Sequence, residues 1–203
     1  MIAIVEYGVG NLFSLKSSLG VVGAQVEVTG EAEALRRSDK MILPGVGAFA
    51  DAIHKLRETG LDQVILEEVE KGKPLLGICL GMQMLFEKSY EYGEHKGLGL
   101  IEGNVKPISS VIGAGLKVPH TGWNALVFPR KKSALYRDVK EGECVYFVHS
   151  FAAMDCEEAV TAKAEYGAML TASVEKGNVY GTQFHPEKSG EVGLKIVKAF
   201  CEL

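Results

Sequence analysis

The sequence predicts an α/β protein with a mostly parallel sheet flanked by helices and an antiparallel β extension in the second half. In the first half, short apolar runs alternate with amphipathic helical patterns, which favours right-handed βαβ units and a parallel sheet covered on both faces. Between residues 100 and 184, short strand patterns follow one another across turns, which is typical of antiparallel pairing.

The elements of the first half follow in order. Residues 2–5 form an apolar run that predicts a buried strand, and Asn11 is suited to cap a helix that Gly23 ends. The apolar run from residue 79 to residue 87 predicts a further helix. The other predicted elements are strands at 25–29, 41–43 and 75–78 and helices around 49–56 and 61–65.

The second half predicts short strands and a closing helix. Residues 144–148 predict a strand, while the strands at 171–174 and 179–184 flank a turn and predict a hairpin. An amphipathic helix is expected at 191–201. Because the sequence shows no internal repeat and no low-complexity linker, residues 1–203 are expected to form one domain.

The composition is that of an ordinary soluble protein, and it disfavours several classes of function. Of the 203 residues, 47% are hydrophobic and 24% are charged. A formal net charge of −4 argues against a nucleic-acid partner, and the basic cluster at 130–132 is interpreted as a solvated loop. The cysteines lack CxxC or zinc-like spacing, so no metal site is expected. The apolar N-terminal run stops at Glu6, so we expect no signal peptide or membrane span and predict a cytoplasmic location.

Cys79 stands where a predicted strand turns into a predicted helix. A helix N-terminus carries roughly +0.5 charge and free N–H groups, which favour the thiolate form of a cysteine placed there. Unpaired cysteines are also among the most buried residues, so Cys79 by itself fits core packing equally well. A base within reach would favour the nucleophile.

His185 and Glu187 follow the last predicted strand, with Pro186 between them. Residues i and i+2 of an extended segment point to the same side, so a carboxylate at 187 can orient the imidazole and stabilise its protonated form. The pair predicts a base for Cys79 together with the group that orients it. A surface salt bridge is the alternative interpretation.

Two loops are suited to hold a developing negative charge. Leu80 offers a backbone N–H directly after the nucleophile, and the glycine-rich loop with Val46 and Gly47 ends another strand of the same predicted sheet. Gln83, one helical turn further along, is placed to hydrogen-bond a polar substrate.

Residues 45–50 also match the dinucleotide fingerprint GxGxxA, but the acidic residue expected at the end of the next strand is missing. Nucleotide binding therefore stays open as an incomplete match.

Six segments together carry a family resemblance that covers nearly the whole chain. They are YGVGNL at 7–12, LPGVGAF at 43–49, GICLGMQ at 77–83, PHTGWN at 119–124, FVHSF at 147–151 and QFHPEKS at 183–189. In this order they resemble the class I glutamine amidotransferases of the triad type. The cysteine elbow and the His-Pro-Glu motif are shared across that family, whereas the Pro-Gly-Val-Gly loop and the Gly-Trp-Asn segment are typical of one branch.

The resemblance implies that the chain hydrolyses L-glutamine to glutamate and ammonia without a cofactor. Cys79 would attack the amide carbon, His185 would carry protons and Glu187 would orient His185. The other implied roles are oxyanion stabilisation by Val46, Gly47 and Leu80 and substrate binding by Gln83 and the backbone of Ser150 and Phe151.

The branch implies a partner as well. Its members supply ammonia to a (β/α)8-barrel cyclase, with which they form a heterodimer that makes imidazole glycerol phosphate in histidine biosynthesis. The segments near that partner contain four candidate interface residues, which are Asn11, Trp123, Asn124 and Lys188. For Trp123, core packing is an equally good interpretation.

Glu6 and Thr121 stand where the family usually has aspartate and methionine. A glutaminase of another pathway, such as anthranilate synthesis, and a thiol peptidase remain alternatives.

Overall fold

The computed structural model describes residues 1–130 and 132–203, so Lys131 of the predicted basic loop lies outside the described residues. The strands are β1 (Ile2–Val5), β2 (Val26–Thr29), β3 (Lys40–Gly45), β4 (Leu75–Cys79), β5 (Phe86–Ser89), β6 (His95–Lys96), β7 (Ile101–Pro107), β8 (His120–Ala125), β9 (Cys144–His149), β10 (Phe151–Met154), β11 (Val160–Glu165), β12 (Met169–Lys176) and β13 (Val179–Thr182). The α-helices are α1 (Leu12–Val21), α2 (Ala32–Arg37), α3 (Phe49–Glu58), α4 (Leu61–Glu70), α5 (Leu80–Met84) and α6 (Gly190–Cys201).

The largest sheet has seven strands in the spatial order β11-β12-β13-β4-β3-β1-β2. Its pairs from β2 across to β13 are parallel, whereas β12 pairs antiparallel with both β13 and β11. This topology confirms the predicted mostly parallel sheet with an antiparallel extension. It also confirms the hairpin between β12 and β13.

Alternate residues of β1 enter two cores on opposite faces of the sheet. Ala3 and Val5 belong to the core that contains apolar side chains of α3 and α4, while Ile2 and Ile4 belong to the core with those of α1 and α6. Strand side chains alternate with a period of two, so a strand covered on both faces must be apolar throughout. Each fully buried aliphatic side chain contributes about 1.5–3 kcal/mol, and together they fix the central strands that carry the site.

Two smaller sheets extend the chain beyond α5. One has the order β10-β7-β5-β6, and the other consists of β8 and β9 paired antiparallel. The chain passes from β9 to β10 at Ser150, which is therefore at a corner between the two smaller sheets. Among the described helices, none has the length and apolarity needed to cross a bilayer.

Two elements differ from the sequence-based expectation. α5 ends at Met84, and β5 takes up the residues that the apolar pattern assigns to a longer helix. The N–H groups of Gly97 and Leu100 donate to the carbonyls of Glu87 and Leu85, so these carbonyls pair with a later segment and not with the N–H groups of a following helical turn. α2 is absent from the prediction because six residues give too short a periodic pattern.

Candidate active site

Cys79 ends β4 directly before α5, in a backbone conformation with φ 55° and ψ −110°. A side chain crowds the backbone at positive φ, so a non-glycine residue in this region indicates a strained turn. The sharp change from strand to helix places the thiol at the carboxyl edge of the sheet, where the first N–H groups of α5 begin. The corner predicted from the sequence is present, with Cys79 8% exposed.

Glycines allow this elbow to contact the neighbouring strand. A Cβ atom placed on Gly81 would lie 1.9 Å from the carbonyl oxygen of Leu43, and one on Gly45 would lie 2.8 Å from the backbone nitrogen of Gly81. Ordinary van der Waals contact begins near 3.4 Å, so neither position has room for a side chain. The end of β3 and the start of α5 are in backbone contact, which brings the loop at 46–47 beside the thiol.

His185 and Glu187 form a buried pair. Nδ1 of His185 lies 2.8 Å from Oε1 of Glu187, and their side chains are 4% and 3% exposed. The surface salt bridge considered from the sequence is therefore wrong. His185 has the extended backbone expected for it, with φ −96° and ψ 99°. Pro186 then begins a 3-10 turn over Pro186–Lys188, so the extension expected through to Glu187 is wrong, although the pairing itself is present.

The pKa of His185 reflects opposing effects. Burial lowers it, but hydrogen bonds with Cys79 and Glu187 outweigh burial and raise the pKa from its usual 6.5 to about 9. A protonated imidazole that donates a hydrogen bond to the sulfur stabilises the thiolate. The arrangement therefore favours an activated cysteine with a proton donor beside it, as acyl transfer requires.

A cavity of about 310 Å³ opens in front of the thiol, a size that suits a small molecule. It brings together nine residues singled out from the sequence, which are Val46, Gly47, Cys79, Leu80, Gln83, Ser150, Phe151, His185 and Lys188. Glu187 lies behind His185, whereas Asn11, Trp123 and Asn124 do not line the cavity.

A second cavity, of about 370 Å³, also contains a cysteine, but in the part of the chain that the structure describes that cysteine has no histidine beside it to act as a base. Its thiol is Cys156, and burial raises the pKa of that thiol to about 11. The described residues that line it include several carboxylates and no histidine. A protonated thiol among acidic groups is a poor nucleophile, so the elbow cavity is the candidate active site.

Three polar residues of the site are absent from the sequence-based prediction. Glu91 and His149 line the cavity, and Nε2 of Gln183 lies 3.8 Å from Sγ of Cys79. Gln183 belongs to a segment that the resemblance uses, yet nothing in the sequence shows that its side chain reaches a thiol 104 positions away. His149 stands beside Ser150 and Phe151 in the 147–151 segment of the resemblance, but the sequence gives it no role of its own. Glu91 carries no local signal, because its contact with Phe49 spans 42 positions.

The hydrogen bonding at the N-terminus of α3 argues against a dinucleotide site at residues 45–50. A pyrophosphate would bind the free N–H groups at this helix start. The N–H of Phe49 instead donates to Oε2 of Glu91 at 2.6 Å. A carboxylate already occupies the position and would repel a phosphate, so this loop does not form a nucleotide site.

The predicted interface residues lie in different environments. Asn11 caps α1 through its side chain, and Asn124 is half-buried on β8. Trp123 is 58% exposed, so the core-packing interpretation is wrong. Lys188 reaches the edge of the cavity. Their contact with a partner stays a prediction.

The fold and the site define a class of protein in which an α/β sheet carries a cysteine on a strand-to-helix elbow. The model of the glutamine amidotransferase class-I family matches residues 3–202, and the chain belongs to that family. Its relatives over the full length include proteins named imidazole glycerol phosphate synthase subunit HisH. The one from Wolinella succinogenes is 49% identical and covers 100% of both chains. The one from Geobacillus kaustophilus is 50% identical over 98% of this chain and 95% of the relative.

Solved structures share the fold at lower sequence identity. A crystal structure of a glutamine amidotransferase has a TM-score of 0.76 at 21% identity and covers 100% of this chain and 99% of its own. The structure of PurLQS from Thermotoga maritima has a TM-score of 0.76 at 22% identity, with 99% and 97% covered. At these identities the likeness concerns the fold alone.

Proposed function

We propose that this chain hydrolyses glutamine to glutamate and ammonia and delivers the ammonia to a cyclase that makes imidazole glycerol phosphate in histidine biosynthesis. One observation carries the proposal: Cys79 and His185, backed by Glu187, meet in one cavity of a class I glutamine amidotransferase. The names of the full-length relatives support the choice of pathway. Residues 1–203 act as one glutaminase domain in this proposal, and the cytoplasmic location stays a prediction.

The first half-reaction forms a thioester. The thiolate of Cys79 attacks the amide carbon of glutamine, and the carbonyl oxygen becomes an oxyanion. As the C–N bond breaks, protonated His185 gives its proton to the leaving nitrogen, so ammonia departs and a neutral imidazole remains. The raised pKa of His185 keeps that proton available at neutral pH.

The second half-reaction releases glutamate. Neutral His185 removes a proton from water while the water oxygen adds to the thioester carbon. Collapse of the second oxyanion breaks the C–S bond and restores the thiolate beside the imidazolium. Glu187 accepts a hydrogen bond from Nδ1 throughout, so Nε2 of His185 is the atom left to exchange protons with the reacting groups.

The remaining lining groups suit the two ends of glutamine. In this proposal the N–H of Leu80 and the loop of Val46 and Gly47 hold the oxyanion at the reacting carbonyl. Gln83 and the backbone at 150–151 bind the body of the substrate. The carboxylate of Glu91 offers a counter-charge for the α-ammonium group, a role that its place in the cavity wall supports.

A partner that receives the ammonia directly makes chemical sense. Ammonia released into water at neutral pH is protonated and is then no longer a nucleophile. The proposed partner is a (β/α)8-barrel cyclase in a heterodimer, with Asn11, Trp123, Asn124 and Lys188 at the interface. The exposed indole of Trp123 supports this surface, because aromatic side chains are enriched at interfaces.

Replacing Cys79 with alanine tests the proposed reaction. Without the sulfur no thioester forms, so we expect glutamine hydrolysis to fall by at least about a thousandfold while the unfolding temperature changes little. Cys144→Ala is the matched control, since Cys144 is a free thiol exposed on β9, and it should keep the parental rate. Ammonia release in the presence of the cyclase measures both variants. Parental turnover by Cys79→Ala would refute the assignment.

A further inference from the structure

A buried pair of histidines lies beside the glutamine site and takes no part in the proposed reaction. Nδ1 of His120 lies 3.0 Å from Nε2 of His149, and both residues are buried. The ring of His120 is stacked between Phe147, with centroids 4.8 Å apart, and Tyr166, at 4.2 Å. His149 lines the active-site cavity. A buried polar pair of this kind must satisfy its hydrogen bonds internally.

The partners of this pair fix the direction of every hydrogen bond. The carbonyl of Phe151 can only accept, so Nδ1 of His149, at 2.8 Å, must donate to it. Burial lowers the pKa of His149 to about 4, so its ring is neutral at neutral pH and Nε2 must accept from His120. Nε2 of His120 then accepts from the amide nitrogen of Asn124 at 3.3 Å. Both rings therefore carry their proton on Nδ1.

A chain of hydrogen bonds continues from the Phe151 carbonyl to the catalytic sulfur. Nε2 of Gln83 donates to this carbonyl at 3.0 Å and to Oε1 of Gln183 at 3.0 Å. Because Gln183 presents its oxygen to Gln83, its Nε2 must face Cys79, where it lies 3.8 Å from Sγ. An N–H aimed at sulfur stabilises negative charge there. The Phe151 carbonyl is thus the point at which the histidine pair meets the glutamine-binding amides.

We propose that Asn124, His120 and His149 form a one-directional hydrogen-bond relay that positions the Phe151 backbone, and with it the Gln83 amide, for binding glutamine. The proposal deepens the proposed function and rests on it. All three are positioning residues: His120 and Asn124 do not line the cavity, and His149, which does, acts through its hydrogen bond to the Phe151 carbonyl. Asn124 is half-buried next to the exposed Trp123, so the relay also joins the predicted partner surface to the substrate site.

Two substitutions of His120 separate the relay from simple packing. His120→Phe keeps a flat ring between Phe147 and Tyr166 but removes the donor to His149. His120→Asn loses the ring but keeps an N–H near the position of Nδ1. If the donor matters, His120→Phe raises the KM for glutamine roughly three- to tenfold with a smaller change in kcat, while His120→Asn stays within about twofold of the parent.

The kinetics are measured on the full chain with its cyclase partner, after thermal unfolding has shown that each variant folds. A parental KM for His120→Phe, or an equal rise for both variants, would overturn the relay. Glutamine turnover by the parent chain tests the proposed function separately. A parent chain without turnover would contradict that function, and the relay would then be tested by a second measurement that does not depend on activity.

The second measurement needs neither activity nor a variant. Nitrogen NMR of the parent chain labelled at histidine reports which ring nitrogen carries the proton. We expect both His120 and His149 to be protonated on Nδ1 and unprotonated on Nε2 at neutral pH, with the Nδ1 proton of His120 coupled to Nε2 of His149. A proton on Nε2 of either ring would overturn the relay.

Discussion

The pairing of His185 with Glu187 sets the protonation state on which the proposed reaction depends. Burial alone lowers a histidine pKa, as it does for His149, whose pKa is about 4. His185 has the thiol and the carboxylate as partners, and its pKa is raised to about 9 in spite of burial. Two buried histidines of one cavity therefore differ in charge at neutral pH, because only His185 has the hydrogen bonds with Cys79 and Glu187 that outweigh burial.

Replacing Glu187 with glutamine tests this pairing. The amide keeps the shape of the side chain but neither stabilises the imidazolium nor fixes its tautomer, so we expect kcat for ammonia release to fall by about 10²–10⁴-fold. Glu191→Gln, an exposed change in the first turn of α6, is the control and should leave kcat unchanged. A Glu187→Gln enzyme within tenfold of the parent would show that the pair is not needed.

The same variant should change how stability depends on pH. The folded pKa of His185 lies above its usual 6.5, so the protonated pair stabilises the fold fully below about pH 6.5, and that contribution is lost as pH rises through about 9. We expect the parent to exceed Glu187→Gln in free energy of unfolding by about 2 kcal/mol near pH 6 and by much less above pH 9. Urea unfolding at both pH values measures the gap, and an equal gap would contradict ion pairing as its cause.

The sequence indicates the roles of the three catalytic residues better than the roles of the residues that surround them. Cys79, His185 and Glu187 stand in short motifs whose local chemistry is readable, although the turn at Pro186 differs from the expected extension. Gln183 and Glu91 act through contacts with residues 104 and 42 positions away, and such contacts exist only after the sheet has formed. Their roles could not be predicted from neighbouring residues.

The contact between β3 and α5 is the structural support of the elbow. Gly81→Ala would place a methyl group 1.9 Å from the Leu43 carbonyl oxygen, so the two elements must separate. We expect a loss of about 1–3 kcal/mol in the free energy of unfolding, together with a fall in glutaminase kcat as the loop at 46–47 moves from the thiol. Gly20→Ala on α1 is the control, since nothing lies within 4 Å of its Cβ position, and it should stabilise by about 0.5–1 kcal/mol. Equal stability of the two variants would contradict this account.

Whether an element could be predicted depended on its length and on where its hydrogen bonds go. The ten-residue helices α3 and α4 show a clear apolar period, and both were predictable. The five residues of α5 were not separable from β5, because the apolar run continues across the boundary. Its end is set by backbone bonds to residues 97–101, which the local sequence does not reveal.

At the scale of the whole molecule, the site exists because several chain segments end at one edge. The carboxyl ends of the adjacent parallel strands β3 and β4 supply the 46–47 loop and Cys79, and the segment after β13 supplies His185. A parallel sheet predicts this convergence. The corner at Ser150 between the smaller sheets closes the cavity from the other side. The position of this corner could not be predicted from the sequence.

This convergence makes the central claim testable with one measurement on the intact chain. An electrophilic glutamine analogue should enter the cavity and alkylate the activated thiol, so inactivation should follow the modification of one site. We predict that mass spectrometry finds the analogue on Cys79 in proportion to lost glutaminase activity, that glutamine protects, and that Cys144, Cys156 and Cys201 stay unmodified. Inactivation without modification of Cys79, or full activity after its modification, would contradict the account.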